Sequence, residues 1–162
     1  PLTPTVTVLG GVRYTESDRT FVGCTRDLNG SLAPIFGVGI NECVTTTASG
    51  FGLINKQLNE NNVSWRAGVN FKPSRDLLLY ANVSKGYKSG SFPLISILLE
   101  QQAKPVTQES VLAYEGGVKA TLADRHIQLN AAVFYYDYKD KQTLGLTFIP
   151  PFGNLQTLIN GE

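Results

Sequence analysis

Methionine is absent from the 162 residues, and histidine and tryptophan occur once each. No apolar run approaches the roughly 20 residues that a membrane-spanning helix needs, so such a helix is excluded. Charge of one sign is also lacking, because 14 Lys and Arg stand against 13 Asp and Glu for a net charge of +1. A surface held on phosphates needs a basic excess, so nucleic-acid binding is excluded as well. No His or third Cys lies near Cys24 and Cys43, which argues against a metal site there. No phosphate loop or dinucleotide fingerprint occurs, since "GVGIN" lacks the required glycine spacing. A chain with no Met at its start reads as a piece of a longer protein.

What is abundant suits strands and turns. There are 16 Gly, seven Tyr and eight Phe, with many Leu, Val, Thr and Asn. Period-two alternation predicts strands over 5–15, 63–72, 77–89, 110–122 and 126–140, with a final run in "NLQTLING". The segment "PLISILLEQQAK" (93–104) could form a short loop helix. The connections alternate in length. Long ones (16–62, 91–108 and 141–153) are separated by tight turns at Pro73-Ser74-Arg75-Asp76 and Ala123-Asp124-Arg125. Soluble domains rarely carry such long loops. Membrane β-barrels do, with short turns on the periplasmic side and long loops outside. The expected fold is therefore all-β: about six strands of a larger transmembrane antiparallel up-and-down barrel.

Each strand carries one apolar and one polar face. Val63, Trp65, Ala67, Val69 and Phe71 oppose Ser64, Arg66, Gly68, Asn70 and Lys72. Leu77, Leu79, Ala81 and Val83 oppose Tyr80, Asn82, Ser84 and Lys88. Tyr14, Trp65, Tyr87, Tyr114 and Tyr135 fall on the apolar face near the long-loop ends, where an interfacial girdle requires rings with a polar tip. The polar face is expected to look into the lumen through Arg13, Arg66, Asn70, Lys88, Glu115, Lys119, Gln128 and Asn130. Lys85 falls on the apolar face by strict alternation, and two explanations stand open. It snorkels to the headgroups, or a bulge near Gly86 switches the phase. Phe134, Tyr136 and Tyr138 fall inside, which suits a filled barrel.

Several blocks resemble TonB-dependent outer-membrane receptors, the importers of iron complexes, cobalamin and similar nutrients. They are "VSWRAGVNFKPSRDLLLY", "LLLYANVSKGYKSGSF" (77–92) and "ESVLAYEGGVKATLADRHIQLNAAVFYYDYKDKQ" (109–142), with a weaker match at "LGGVRYTE". The resemblance implies a plugged barrel of about 22 strands in a Gram-negative outer membrane. Residues 1–162 would be one internal part of that barrel domain, without the plug and the TonB box that the family places earlier. The implied partners are the lipid bilayer, the plug of the same parent chain, the TonB complex and a chelated nutrient, an iron–siderophore complex being the commonest case. No cofactor is implied. A passive porin or structural barrel, or a secreted soluble β-sandwich binding protein, are the alternatives.

An outer loop faces an oxidising space, so Cys24 and Cys43 are expected to form a disulfide, two free thiols being the alternative. His126 lies beside a tight turn with no carboxylate or Ser motif, which points to a structural role. Asp137 and Asp140 point to opposite faces by alternation, so they do not form an acid–base pair. No enzymatic activity is expected. Phe36, Phe51, Asn59, Asn61, Asn62 and Phe92 are loop side chains within reach of a substrate, with nothing in the sequence to select among them.

Overall fold

A computed structural model of the chain describes residues 4–93, 97–149 and 153–161. The strands are β1 (Val6–Gly23), β2 (Thr46–Thr47), β3 (Gly50–Phe51), β4 (Ile54–Ser74), β5 (Leu77–Lys88), β6 (Glu109–Leu122), β7 (Ile127–Lys139), β8 (Lys141–Ile149) and β9 (Gly153–Gly161). One short helix, α1 (Ala33–Phe36), and one 3-10 helix (Glu100–Ala103) complete the described elements. A five-stranded sheet runs in the order β1-β4-β5-β6-β7, and β2-β3 and β8-β9 form two-stranded sheets. Sequence neighbours pair as antiparallel hairpins from β4 to β7, the up-and-down topology that alternation anticipated.

The chain divides into two compact units. The first comprises 1–15, 61–88 and 109–139 and holds the regular sheet. Its registers fix the faces. One row of facing residues runs Val69–Ala81–Gly116–Val133, and the next runs Ala67–Val83–Tyr114–Tyr135. On the opposite face one row runs Asn70–Tyr80–Gly117–Ala132 and another Gly68–Asn82–Glu115–Phe134. None of the described side chains in this unit is buried. Its apolar face lies open, with Val12 at 76% and Val133 at 74% exposure. A soluble domain would cover such a face with a second layer. From Ile127 to Tyr135 the open face spans about 27 Å along β7 at roughly 3.4 Å per residue. A strand tilted by about 40° projects this to about 20 Å, close to the apolar band of an outer-membrane barrel.

The turns explain themselves chemically. Between Phe71 and Ser74 the β4–β5 register shifts, at Pro73, which has no N–H to give to the ladder. Between β6 and β7 three successive residues, Ala123, Asp124 and Arg125, take φ of 51°, 51° and 72°. His126 closes that turn, donating its backbone N–H to the Ala123 carbonyl at 3.0 Å with its ring Nδ1 2.7 Å from the same oxygen. The β5–β6 register continues unbroken through Lys85, Gly86 and Tyr87, so the phase-switching bulge near Gly86 does not form. Lys85 stays on the apolar face, and its ammonium sits 5.4 Å from the centre of the Tyr87 ring.

The second unit comprises 16–60, 89–108 and 140–162. It differs from the sequence expectation in two places. The 141–153 loop contains a strand, β8, which pairs with β9 from Lys141↔Gly161 to Ile149↔Gly153. The 16–62 loop is shorter than expected, because β1 continues to Gly23 and β4 begins at Ile54. These strand extensions are mostly polar, with Phe21, Val22, Ile54 and Leu58 interspersed, so no regular alternation marks them. Asn59, Asn61 and Asn62 accordingly lie within β4. Of the 93–104 segment, Glu100–Ala103 is a 3-10 helix, while 94–96 lie outside the described residues.

All the described buried apolar side chains belong to this second unit. Val44 and Leu98 pack with Leu32, Phe36, Val38 and Leu155, and Ile54, Ile97 and Ala103 pack with Phe21. The polar groups between them are satisfied across long sequence separations. Thr25 N–H donates to Thr45 Oγ1 at 2.9 Å, Thr45 Oγ1 donates to the Ile97 carbonyl, and Ile97 N–H donates to Thr25 Oγ1 at 2.8 Å. The connections therefore form a packed body with its own core.

Candidate functional site: the polar face of the sheet

On the polar face the longest side chains gather around gaps left by the smallest ones. Tyr80 lies across Gly117, where an added Cβ would come within 2.6 Å of the phenol ring. That position lets Tyr80 donate its hydroxyl hydrogen to Glu115 Oε1 at 2.8 Å, while the Lys119 ammonium sits 5.9 Å from the ring centre. Phe134 and Tyr136 stack with centroids 5.0 Å apart, and Tyr138 meets Tyr136 edge-on at 6.5 Å. These three rings alternate along β7 on the same face as Glu115 and Ala113.

Several concavities lie along this face. One of about 430 Å³ is bordered by Gly11, Arg13, Ser64, Arg66, Ser84 and Gly86. Another of about 310 Å³ is lined by Arg66, Asn70, Tyr80, Asn82, Glu115 and Lys119 among others. A third, of about 220 Å³ near the turns, includes Lys119, Gln128 and Asn130. Of the residues expected on this face, Arg13 and Arg66 thus meet at one concavity, and Arg66, Asn70, Glu115 and Lys119 at the next. Lys88 stands apart, 3.8 Å from the Glu109 carboxylate. A further concavity, of about 690 Å³, is floored by Ala67, Ala81 and Gly116 and belongs mainly to the apolar side. It offers almost no polar group with which to orient a ligand.

The aromatic residues expected as a girdle fall on the apolar face. Tyr114 and Tyr135 are register partners with centroids 6.4 Å apart. Trp65 faces Lys85, which faces Leu112, which in turn faces Asp137. Tyr14 is well exposed, as are Tyr114 and Tyr135. Among the described residues no group of three or more His, Cys, Asp or Glu is placed to hold a metal.

In the second unit several polar side chains that sequence patterning did not single out hold the connections together. Glu60 accepts N–H bonds from Gly90 (2.8 Å) and Gln108 (2.6 Å). Gln142 donates from Nε2 to the Ser89 and Thr107 carbonyls, both at 3.0 Å. Asn160 Oδ1 accepts from Thr107 N–H at 2.9 Å, and its Nδ2 donates to the Thr107 and Asp140 carbonyls. Asp27, almost fully buried, accepts the N–H groups of Leu32 and Ala33 at the start of α1. Cys24 and Cys43 are joined by a disulfide. Lys56 bonds Glu100 at 2.6 Å and holds the Glu100 carboxyl below the usual carboxylate range, through the hydrogen bond first and its charge second. Phe21 stacks on Phe92 at 5.4 Å, and Phe36 meets Phe51 edge-on at 5.9 Å.

Among solved structures the chain is similar to the ferric yersiniabactin uptake receptor FyuA from Yersinia pestis. The identity is 22%, the TM-score 0.60, and the match covers 87% of this chain and 19% of that one. It is also similar to the hemophore receptor HasR of Serratia marcescens, at 15% identity and a TM-score of 0.48, covering 96% of this chain and 27% of that one. The chain thus spans about a fifth to a quarter of these receptors' length. No curated protein sequence shows significant similarity to it. The family model described as TonB dependent receptor-like, beta-barrel matches residues 1–161. With nearly the whole length matched, and an antiparallel sheet whose apolar face lies open, the chain belongs to the β-barrel family of TonB-dependent receptors of the outer membrane.

Proposed function

We propose that the chain is part of the wall of an outer-membrane importer for a scarce chelated nutrient, with an iron–siderophore complex as its cargo. The observation that carries this reading is the two-faced sheet: an open apolar side for lipid, and an opposite side that concentrates Arg, Lys, Glu and Asn around concavities. On this reading Arg13, Arg66, Asn70, Lys88, Glu115, Lys119, Gln128 and Asn130 face the lumen and its plug. Tyr14, Trp65, Tyr87, Tyr114 and Tyr135 lie at the headgroups. The long connections, with the disulfide, are outer loops on this reading, where cargo is first held. Energy would reach the plug through TonB from the inner membrane. The name of FyuA, a ferric-chelate uptake receptor, supports the cargo class by analogy of fold.

The test is uptake of a radiolabelled ferric siderophore by cells that carry the parent gene. Uptake is expected to stop when a protonophore collapses the proton gradient. Uptake that survives the collapse favours a passive barrel instead.

A further inference from the structure

We propose that the apolar face of the wall holds a lipid A molecule in a defined place, with acyl chains in the hollow over Ala67, Ala81 and Gly116 and a phosphate on Lys85. This rests on the reading that the apolar face meets the bilayer and that the long connections lie outside, and it adds a specific site to that face. The hollow, of about 690 Å³, is floored by three small residues on the neighbouring strands β4, β5 and β6. Val8 and Val69 border it toward β1, and Tyr114, Val133 and Tyr135 border it toward β7. Two rows of facing residues run through it, Val69–Ala81–Gly116–Val133 and Ala67–Val83–Tyr114–Tyr135. The next row toward the long connections is Trp65–Lys85–Leu112–Asp137. Ala81 and Lys85 are thus about 14 Å apart along β5 at roughly 3.4 Å per residue, apolar hollow at one end and ammonium at the other.

A lysine in an unbroken register on an apolar face needs an anion, because an ammonium left among hydrocarbon is costly. The strands on both sides of Lys85 belong to this chain, and they set Trp65 and Leu112 beside it in register, neither of them charged. On the same reading the plug lies behind the opposite face and does not reach it. The Lys85 ammonium sits 5.4 Å from the centre of the Tyr87 ring, on the side of the long connections, where headgroups lie. Asp137 shares its row but is two strands away, about 10 Å at roughly 4.8 Å per strand. Lys139 follows one row further out, in register with Ser110, which faces Tyr87. Basic side chains at this level recognise lipid phosphates. Below them, a hollow left empty in hydrocarbon would forfeit the contacts of its lining, so acyl chains fill it. The hollow reaches across β4, β5 and β6, which favours several chains side by side under one phosphorylated headgroup, the chemistry of lipid A, over a two-chain phospholipid.

The test is native mass spectrometry of the purified parent receptor in detergent, titrated with diphosphoryl lipid A and, separately, with the same lipid freed of its phosphates. The phosphorylated lipid is expected to bind more tightly. Lys85→Gln should weaken it by about fivefold and leave the phosphate-free lipid unchanged, while Lys85→Arg should keep the binding. Ala81→Phe fills the hollow and should weaken both lipids severalfold. Should that variant fail to fold, Ala81→Val fills less of the hollow and should weaken both to a smaller degree. Lys72→Gln, a cation of the opposite face near the turns, should change nothing. Three results would overturn the proposal. One is equal binding of the two lipids with no response to Lys85→Gln, the sign of a face wetted by bulk lipid only. Another is equal weakening by Lys72→Gln, the sign of diffuse charge. The third is phosphatidylglycerol binding as tightly as lipid A, the sign of a general anionic-lipid surface. Lipid binding is read without transport, so a failure of the importer reading would show separately, in uptake that ignores the proton gradient.

Discussion

At the scale of single residues, what is strained and what is clamped can be told apart. Ala123 adopts a left-handed conformation that a side-chain Cβ disfavours by about 1–2 kcal/mol. Unlike Asp124 beside it, alanine has no polar group to compensate. Ala123→Gly should therefore raise stability by up to about 1 kcal/mol, seen as a higher urea midpoint for the refolded parent barrel. Gly90 is the opposite case. An added Cβ there would run into the Val106 carbonyl and Glu60, a backbone group and a clamp that cannot both withdraw. Gly90→Ala should break the Ser91–Val106 bridge and expose the Gly90 and Gln108 amides to faster hydrogen exchange. Glu60→Ala should speed the same two amides and cost roughly 1–3 kcal/mol, because two partly buried N–H groups lose a charged acceptor. Glu60, Gln142 and Asn160 were not legible in the sequence for a physical reason. Each bonds to main chain 30 or more residues away, or across a junction between strands, and no local spacing records such a bond.

At the scale of elements, the wall strands were legible because one face of each is apolar over most of its length, and a register fixed by hairpins carries that face across the sheet. The strand β8 was equally marked, since Leu144, Leu146 and Phe148 alternate with Thr143, Gly145 and Thr147. The rhythm of long and short connections places it in a loop all the same, against its own periodicity. The packed core of the connections was not legible, because Val44, Ile54, Ile97 and Ala103 come from segments with no shared period. Two predictions belong to these connections. The Cys24–Cys43 bridge closes a loop of about 20 residues, and Cys24→Ser with Cys43→Ser should cost the second unit about 3 kcal/mol. Limited proteolysis should then cut within 24–53 and leave the β4–β7 hairpins intact. The Lys56–Glu100 pair adds a pH dependence. Because the Glu100 carboxyl is held low in the folded state, its contribution is present above the ordinary carboxylate range. It is lost as pH falls through the lowered value. Glu100→Gln should flatten that acid limb in the melting of the connections, and Lys56→Met should do the same.

At the scale of the whole molecule, a sheet with no buried side chain in its regular part makes sense only when its two sides meet different surroundings. On the proposed reading a parent barrel supplies them, with lipid on the apolar side and the lumen on the polar side. The neighbouring residues Gln128 and Leu129 of β7 test this at one depth, since they differ only in the side to which they point. In the full parent receptor refolded into bilayers, the unfolding free energies of Leu129→Arg and Gln128→Arg are the measurement to make. Leu129→Arg should destabilise by about 1–2 kcal/mol, since Leu129 lies between the turn-side edge of the apolar band and the midplane, where arginine costs about 2–4 kcal/mol. Gln128→Arg should cost far less. Equal losses, or a larger loss at Gln128, would contradict the assignment of the apolar face to lipid, and with it the placement of the polar face in the lumen.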